Sequence, residues 1–171
     1  NNVFGCGYNS DMTEQAPNAH LTAAIWHWDV YYQAAIETAM TCGGAENFVT
    51  EMGGNAYYAG LSEGFVDAST LNELVAAPGT AAAMEAVREL IDSGEWDVFS
   101  GVKLNITVDA EAGTAAVEQV DAPLMSDGYE LKDGEVVEMA NPEIVPAGGA
   151  SVTDDVIKSG MNYNVAGVVE G

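Results

Sequence analysis

The chain has 171 residues, 48% of them apolar, which is enough for one domain with a buried core. Its 27 acidic residues against only four basic ones give a formal net charge of −23. Such a surface repels phosphates and anionic lipid head groups, so we expect no nucleic-acid partner. A plain solvated surface and adaptation to a salty or extracellular setting both explain the charge.

The sequence contains no recognisable targeting or membrane-spanning segment. No apolar run reaches the roughly 20 residues that cross a bilayer, and no basic stretch followed by an apolar one marks a signal peptide. Because Asn1 stands immediately before a strand-like stretch, we expect that an upstream part of the protein is absent. Cys6 and Cys42 lack CxxC spacing, so one disulfide and two free thiols are both open.

The first part of the chain predicts a short strand at residues 3–7, a polar loop and a long helix. Pro17 fits the first turn of this helix, and Gly43-Gly44 predicts its end near Thr41. Trp26 lies on a helical face that otherwise holds polar residues, among them Asp29 and Gln33. The predicted core-facing stripe recurs every three or four positions and consists of Leu21, Ile25, Trp28, Tyr32, Ile36 and Met40.

Further strands and helices follow. We expect a glycine-interrupted aromatic strand at 55–65, a helix at 80–93 that Gly94 ends, and strands at 96–99 and 103–108. Asp133-Gly134 favours the positive φ angles of a two-residue turn, so residues 129–138 predict a β-hairpin. A short helix at 153–158 and a final strand at 163–169 complete the prediction, whereas residues 109–125 carry no clear pattern.

Strands that alternate with helices predict an α/β fold with a largely parallel sheet, to which the hairpin adds an antiparallel appendage. Open sheets of this kind bind ligands where the carboxyl end of a strand meets a loop. The loop that begins at Asn9, after the first strand, is therefore the first candidate for a binding site.

Five motifs in order resemble the C-terminal half of a basic membrane protein (BMP) family member, from the purine-nucleoside-receptor-like group that serves ABC transporters. The motifs are GYNSDM at 7–12, AP with LTA and WxWxxYY at 16–32, YAGLxEG at 58–64, SGEWDVFSG at 93–101 and MNYxVxGV at 161–168. The acidic region 109–139 is longer than the family pattern implies.

The resemblance implies one lobe, plus hinge-crossing segments, of a type I periplasmic-binding-protein-like fold. Residues 1–171 would form the C-terminal portion of a two-lobe solute-binding protein whose N-terminal lobe is absent from this chain. The implied function is the extracytoplasmic component of an ABC importer, periplasmic or held on the cell surface as a lipoprotein. Its lobes would close on a purine base, nucleoside or related heterocycle, and the permease would recognise the closed form.

The resemblance also assigns candidate ligand contacts in the first polar loop. In the family, the loop that matches residues 7–12 touches the ligand, which makes Asn9 and Asp11 candidates. Their side chains suit the polar edge of a purine or the hydroxyls of a ribose. Alternatively, both residues shape a turn and cap the helix that follows.

Three aromatic residues are the other candidates. Trp26, on a polar face, suits stacking on a planar base, whereas packing at a lobe boundary is its alternative. In nucleoside-binding relatives a ribose-contacting lysine falls near Trp26, so an indole there favours a free nucleobase. Trp28 fits the apolar stripe, where core packing is the better explanation, and Tyr31 can line a cleft or pack on a neighbouring element.

No catalytic or cofactor motif is present, so we expect neither an enzyme nor a cofactor or metal site. The sequence lacks a GxSxG elbow, a Walker loop and an HExxH pair. His20 and His27 are predicted at the surface rather than in a zinc site. A ligand-sensing regulatory domain on the same fold and an acidic hydrolase remain as alternative functions.

Overall fold

The structure is a computed structural model that describes residues 3–168. These residues form two compact units. The first unit runs up to Ala81 and also includes Ala110–Gly113, and the second unit comprises Ala82–Asp109 and the chain from Thr114 onward. The helices are α1 (Trp28–Thr41), α2 (Phe48–Glu51) and α3 (Thr80–Asp92), and a π-helical turn follows at Val156–Gly160. The strands are β1 (Gly5–Asn9), β2 (His20–Trp26), β3 (Val66–Ala68), β4 (Val102–Asp109), β5 (Thr114–Asp121), β6 (Leu124–Lys132), β7 (Glu135–Glu138), β8 (Glu143–Val145) and β9 (Tyr163–Val165).

The sheet of the first unit is mixed, in the order β1-β2-β3. Strands β1 and β2 are parallel, whereas β3 runs antiparallel to β2. Helix α1 begins two residues after β2 and ends at Thr41, as predicted, and Gly43 follows with a φ of +75°. The predicted start of this helix near Pro17 is wrong, because residues 20–26 form β2.

Strand β2 forms because the rest of the unit supplies partners for its backbone. The hydroxyl of Ser69 accepts a hydrogen bond from the Ala23 N–H at 3.0 Å, and the amide of Asn72 donates to the His20 carbonyl at 2.9 Å. Thr22 donates from Oγ1 to the Ser69 carbonyl at 2.8 Å. Together with pairing to β1 and β3, these long-range bonds hold residues 20–26 as a strand, which local apolar spacing does not predict.

Antiparallel pairing dominates the second unit. Strands β4 and β5 form a hairpin, and β6 pairs antiparallel with β7, β8 and β9. The turn from β6 to β7 has positive φ at Asp133 (53°) and Gly134 (84°), so the predicted hairpin is confirmed. The predicted largely parallel sheet is wrong: between the described strands, only β1 and β2 run parallel. The two-residue connection between β6 and β7 and the four-residue connection between β4 and β5 are too short for a parallel crossover.

Other predicted elements have mixed outcomes. The helix at 80–93 and the strand at 103–108 are confirmed as α3 and β4, and residues 109–125, which carried no pattern, contain β5 and the start of β6. The strands predicted at 55–65 and 96–99 are wrong, because local hydrogen bonds form turns there, such as the Asp97 carboxylate with the Phe99 N–H at 2.8 Å. The short helix predicted at 153–158 is confirmed, since helical residues run from 154 to 160, with the π-helical part at Val156–Gly160. Strand β9 ends at Val165, and Val169 of the predicted last strand lies outside the described residues.

The interior of both units is small. Ala23 and Phe65 in the first unit and Val145 in the second are the buried apolar side chains among the described residues. The stripe predicted to face the core is half or more exposed along α1, at Trp28 (50%), Tyr32 (59%), Ile36 (60%) and Met40 (80%), so that prediction is wrong. No residue of α1 is fully buried, and its half-buried positions are Val30, Tyr31, Ala34, Ala35 and Thr38.

The chain exposes 11551 Å² of accessible surface. Two separate compact bodies, each of half its 17.8 kDa mass, would together expose about 9,600 Å². The observed accessible surface is therefore larger than expected even for two independent units. This excess means that apolar faces such as that of α1 are not covered by other parts of the protein. Cys6 is exposed and Cys42 half-buried, and both thiols are free.

Candidate functional site

The candidate site lies at one edge of the sheet in the first unit. Because β1 and β2 are parallel, their carboxyl ends meet at the same edge, where Asn9 pairs with Ile25 and Trp26 follows directly. Strand β3 enters at this edge, since Val66 pairs with Trp26 and Phe65 precedes it. Ends of three strands and the start of α1 therefore converge here.

Aromatic rings fill this edge of the sheet. Their centroids lie 5.2 to 6.4 Å apart in a connected series, mostly in edge-to-face contact, which is the arrangement that ring quadrupoles favour. We call this group the aromatic cluster, and its members are Tyr8, Trp26, Trp28, Tyr31, Tyr32, Tyr57 and Phe65.

Trp26 sits in the middle of the aromatic cluster rather than on a polar helical face. Its ring stacks on Trp28 at 5.9 Å with an interplanar angle of 27°, and it meets the edge of Phe65 at 5.3 Å. Tyr8 contacts it at 6.4 Å in a perpendicular arrangement. The predicted polar surroundings at Asp29 and Gln33 are wrong, because Trp26 belongs to a strand and those residues to α1.

The aromatic cluster has a buried base and an exposed rim. Phe65 is only 3% exposed and touches Trp26, Trp28 and Tyr57. Trp28 is 50% exposed and Tyr8 76% exposed, although both belong to the same series of contacts. Core packing therefore accounts for only half of the Trp28 surface, and the remaining ring surface is open to solvent.

The loop after β1 is organised by its own side chains. Asn9 ends the strand with a φ of +74°, a left-handed conformation that asparagine tolerates better than most residues. The Asp11 carboxylate accepts hydrogen bonds from the hydroxyl of Thr13 at 2.6 Å and from its N–H at 2.8 Å. These two bonds hold the pKa of Asp11 below its ordinary value. This geometry is that of the turn-forming alternative.

His20 is the residue of this region that the sequence placed wrongly. It is 5% exposed, whereas a surface position was expected, because it begins β2 and packs beneath the loop. Its Nε2 atom lies 3.4 Å both from the Met12 nitrogen and from Asp11 Oδ1. Neutral Nε2 accepts from the Met12 N–H, and protonated Nε2 donates to Asp11, so only one of these bonds forms at a time.

All five predicted site residues lie in the first unit. Ring contacts join Trp26, Trp28 and Tyr31 directly, Asn9 neighbours them through the β1–β2 pairing, and Asp11 is occupied with Thr13. Sequence reasoning did not select Tyr8 and Phe65, which also belong to the aromatic cluster. Phe65 ends the aromatic, glycine-rich stretch 55–65, which is a sequence signal for it. The strand predicted for that stretch gave no reason to place Phe65 beside Trp26 and Trp28.

No protein-family model matches the chain, and no curated protein matches it significantly. The resemblance to the BMP family thus depends on the motifs in the sequence alone. Across residues 3–168, no three His, Cys, Asp or Glu side chains come together in a group that would hold a metal ion. None of the helices in that range is both long enough and apolar enough to cross a membrane.

Proposed function

We propose that this chain is the C-terminal part of an extracytoplasmic solute-binding protein of an ABC importer, and that the aromatic cluster binds a purine base or a related flat heterocycle. The observation that carries the proposal is the half-exposed Trp28 ring, which is supported from below by Trp26 and Phe65. A ring held in this way offers a flat surface at little conformational cost, because its own neighbours fix its orientation.

Stacking on Trp28 supplies affinity without strong selectivity, since every nucleobase has a π-face. Selectivity has to come from polar groups near the ring. Asn9, which pairs with the residue before Trp26, presents an exposed carboxamide that can both donate to and accept from a purine edge. Asp11 contributes indirectly in this proposal, by fixing the loop through its bonds to Thr13.

The unusually large exposed surface favours a larger parent protein. Exposed apolar residues such as Tyr32, Ile36 and Met40 on α1 would be covered by a second lobe or by further elements of the same lobe. In the proposed mechanism, ligand held at the aromatic cluster stabilises the closed arrangement of two lobes by its higher affinity for that form. The permease then recognises the closed form.

The proposal is tested by titrating adenine, guanine and hypoxanthine into the purified chain and recording 15N–1H NMR spectra. Saturable shifts at Asn9, Trp28 and neighbouring residues are expected. Trp28→Ala should weaken binding about 5- to 150-fold, which corresponds to the loss of about 1–3 kcal/mol of base stacking. Leu74→Ala is the matched control, since Leu74 is 84% exposed in the same unit and outside the aromatic cluster.

Two results would reject the proposal. One is the absence of any purine-dependent shift at the aromatic cluster, and the other is equal affinity of the Trp28→Ala and Leu74→Ala variants. For the transport role, cells that lack the parent gene should take up labelled purine more slowly, and the intact gene should restore uptake. Unchanged uptake in cells that lack the gene would contradict the importing role and favour the sensing role.

A further inference from the structure

The second unit contains a concave site that the proposed function does not use. Its volume is about 610 Å³, within the range of small-molecule sites in proteins. It lies beside β6 and includes residues of β7 and of the β9 region. The lining residues are Asp127, Tyr129, Glu130, Leu131, Val136, Met161, Asn162, Tyr163, Asn164 and Val168. We refer to this site as the β6 cavity.

The charge of the β6 cavity is wholly negative. Asp127 and Glu130 are its ionisable carboxylates, and none of its ten lining residues is Lys, Arg or His. Asn162 donates to Glu130 at 3.2 Å, and Asn164 donates to Asp127 at 3.5 Å. Because a carboxylate offers roughly four acceptor positions, these bonds orient the two groups and leave them able to accept from a ligand.

Strand β6 is irregular between the two carboxylates of the cavity. Residues three apart in a regular strand point to opposite faces of the sheet. Here β6 advances from Ser126 to Glu130 while β9 advances only from Val165 to Tyr163, so β6 bulges. Gly128 lies within the bulge with a φ of +94°, a conformation that favours glycine. Asp127 and Glu130 both line the β6 cavity, and the side-chain amides of Asn164 and Asn162, two positions apart, bind their carboxylates.

The remaining lining of the β6 cavity is aromatic and aliphatic. The faces of tyrosine rings attract organic cations, and Tyr129 and Tyr163 supply two such rings. Leu131, Val136 and Met161 supply apolar surface for a hydrocarbon body. An inorganic metal ion fits less well, because no group of three metal-binding side chains exists within residues 3–168.

We propose that the β6 cavity binds an organic cation, namely a protonated primary amine carried on an apolar body. The ammonium group donates its hydrogens to Asp127 and Glu130, while the hydrocarbon part lies against the tyrosines and the aliphatic side chains. The β6 cavity shares no residue with the aromatic cluster and lies in the other unit. The amine-binding proposal is therefore tested independently of the purine-binding proposal.

The probe is n-hexylammonium, titrated into the full chain with NMR detection, and n-hexanol is its uncharged counterpart. Saturable shifts confined to lining residues are expected for the amine, with at least about tenfold weaker binding of the alcohol. The double variant Asp127→Asn/Glu130→Gln should lower amine affinity by about tenfold or more. Its amide oxygens still accept the bonds from Asn162 and Asn164, which favours retention of the local fold.

Glu118→Gln is the control for loss of a carboxylate elsewhere in the second unit, because Glu118 is exposed on β5 and does not line the β6 cavity. It should leave affinity unchanged. Val136→Lys provides a second test at a residue that is 73% exposed, since its own ammonium should displace the ligand, whereas Val136→Leu should not. Shifts spread over the whole acidic surface, equal binding of hexanol, or equal weakening by Glu118→Gln would each overturn the proposal.

Discussion

Replacement of Phe65 by alanine is expected to destabilise the first unit more than any other single truncation in the aromatic cluster. Phe65 is 3% exposed, and its ring centroid lies 5.2 Å from that of Tyr57, 5.3 Å from Trp26 and 5.6 Å from Trp28. Removal of a buried phenylalanine side chain costs about 3–5 kcal/mol, which includes the loss of its edge-on ring contacts. Against a usual total of about 5–15 kcal/mol, such a loss is large.

Urea denaturation followed by tryptophan fluorescence measures the effect. Two of the three tryptophans of the chain, Trp26 and Trp28, contact Phe65, so their emission reports directly on this unit. The midpoint should fall with little change in the slope, because the native structure outside the cavity persists. Leu74→Ala is the control and should change stability by no more than about 0.5 kcal/mol, since Leu74 is exposed.

Equal midpoints for Phe65→Ala and Leu74→Ala would refute the reasoning. In that case the rings would not form a cooperative interior, and the support that we infer for Trp28 would be absent. A drop in stability with unchanged tryptophan emission would likewise show that Phe65 does not pack against the two indoles.

Three further predictions concern other parts of the chain. Gly101→Ala should destabilise the second unit by about 1–3 kcal/mol in thermal unfolding, because a Cβ there would overlap the Pro146 carbonyl. Gly160→Ala should be mild, because the nearest atom to a Cβ there, the Asp155 carbonyl oxygen, is 3.8 Å away. Similar melting temperatures for both variants would contradict this prediction. Thr13→Val should raise the Asp11 pKa in an NMR titration, since it removes a hydrogen bond to the carboxylate, and an unchanged titration midpoint would count against that bond. Because the pKa of folded Asp11 lies below its unfolded value, its stabilising contribution is present above the unfolded value and lost as the pH falls through the folded one. Finally, the free energy of unfolding should rise between about 0.01 M and 1 M NaCl, because salt screens the repulsion among charges that sum to −23; a flat dependence would refute this.

Local signals predicted the elements that depend on local geometry. The hairpin at Asp133-Gly134 and the helix ending before Gly94 were correct because positive φ at glycine settles them within a few residues. The end of α1 before Gly43 was correct for the same reason. Such features need no knowledge of what lies elsewhere in the chain.

Distant partners determined what the sequence could not predict. The segment 20–26 is a strand because Ser69 and Asn72, more than 40 residues away, bind its backbone. Strand direction in the second unit likewise follows from the connections and not from alternation. The apolar stripe of α1 predicts a core-facing surface, but no element among the described residues covers that stripe.

The candidate site was predicted in composition but not in arrangement. Trp26, Trp28 and Tyr31 were selected as aromatic residues beside a polar loop, and their rings do form one series. Their relative placement was wrong, because a helix had been assumed where a strand and a helix meet at His27. Whether Asn9 or Asp11 contacts a ligand stays a prediction, although the bonds from Thr13 explain Asp11 as a turn residue.

Strand β1 is the first member of the order β1-β2-β3, so its outer side has no neighbouring strand among the described residues. Backbone groups on such a side offer a template to any extended peptide, including a second molecule. Mutual repulsion between highly anionic molecules keeps these templates apart in dilute buffer. Concentrated salt shortens the reach of that repulsion to about 3 Å at 1 M, so pairing of this strand edge with another extended chain is opposed less in concentrated salt than in dilute buffer.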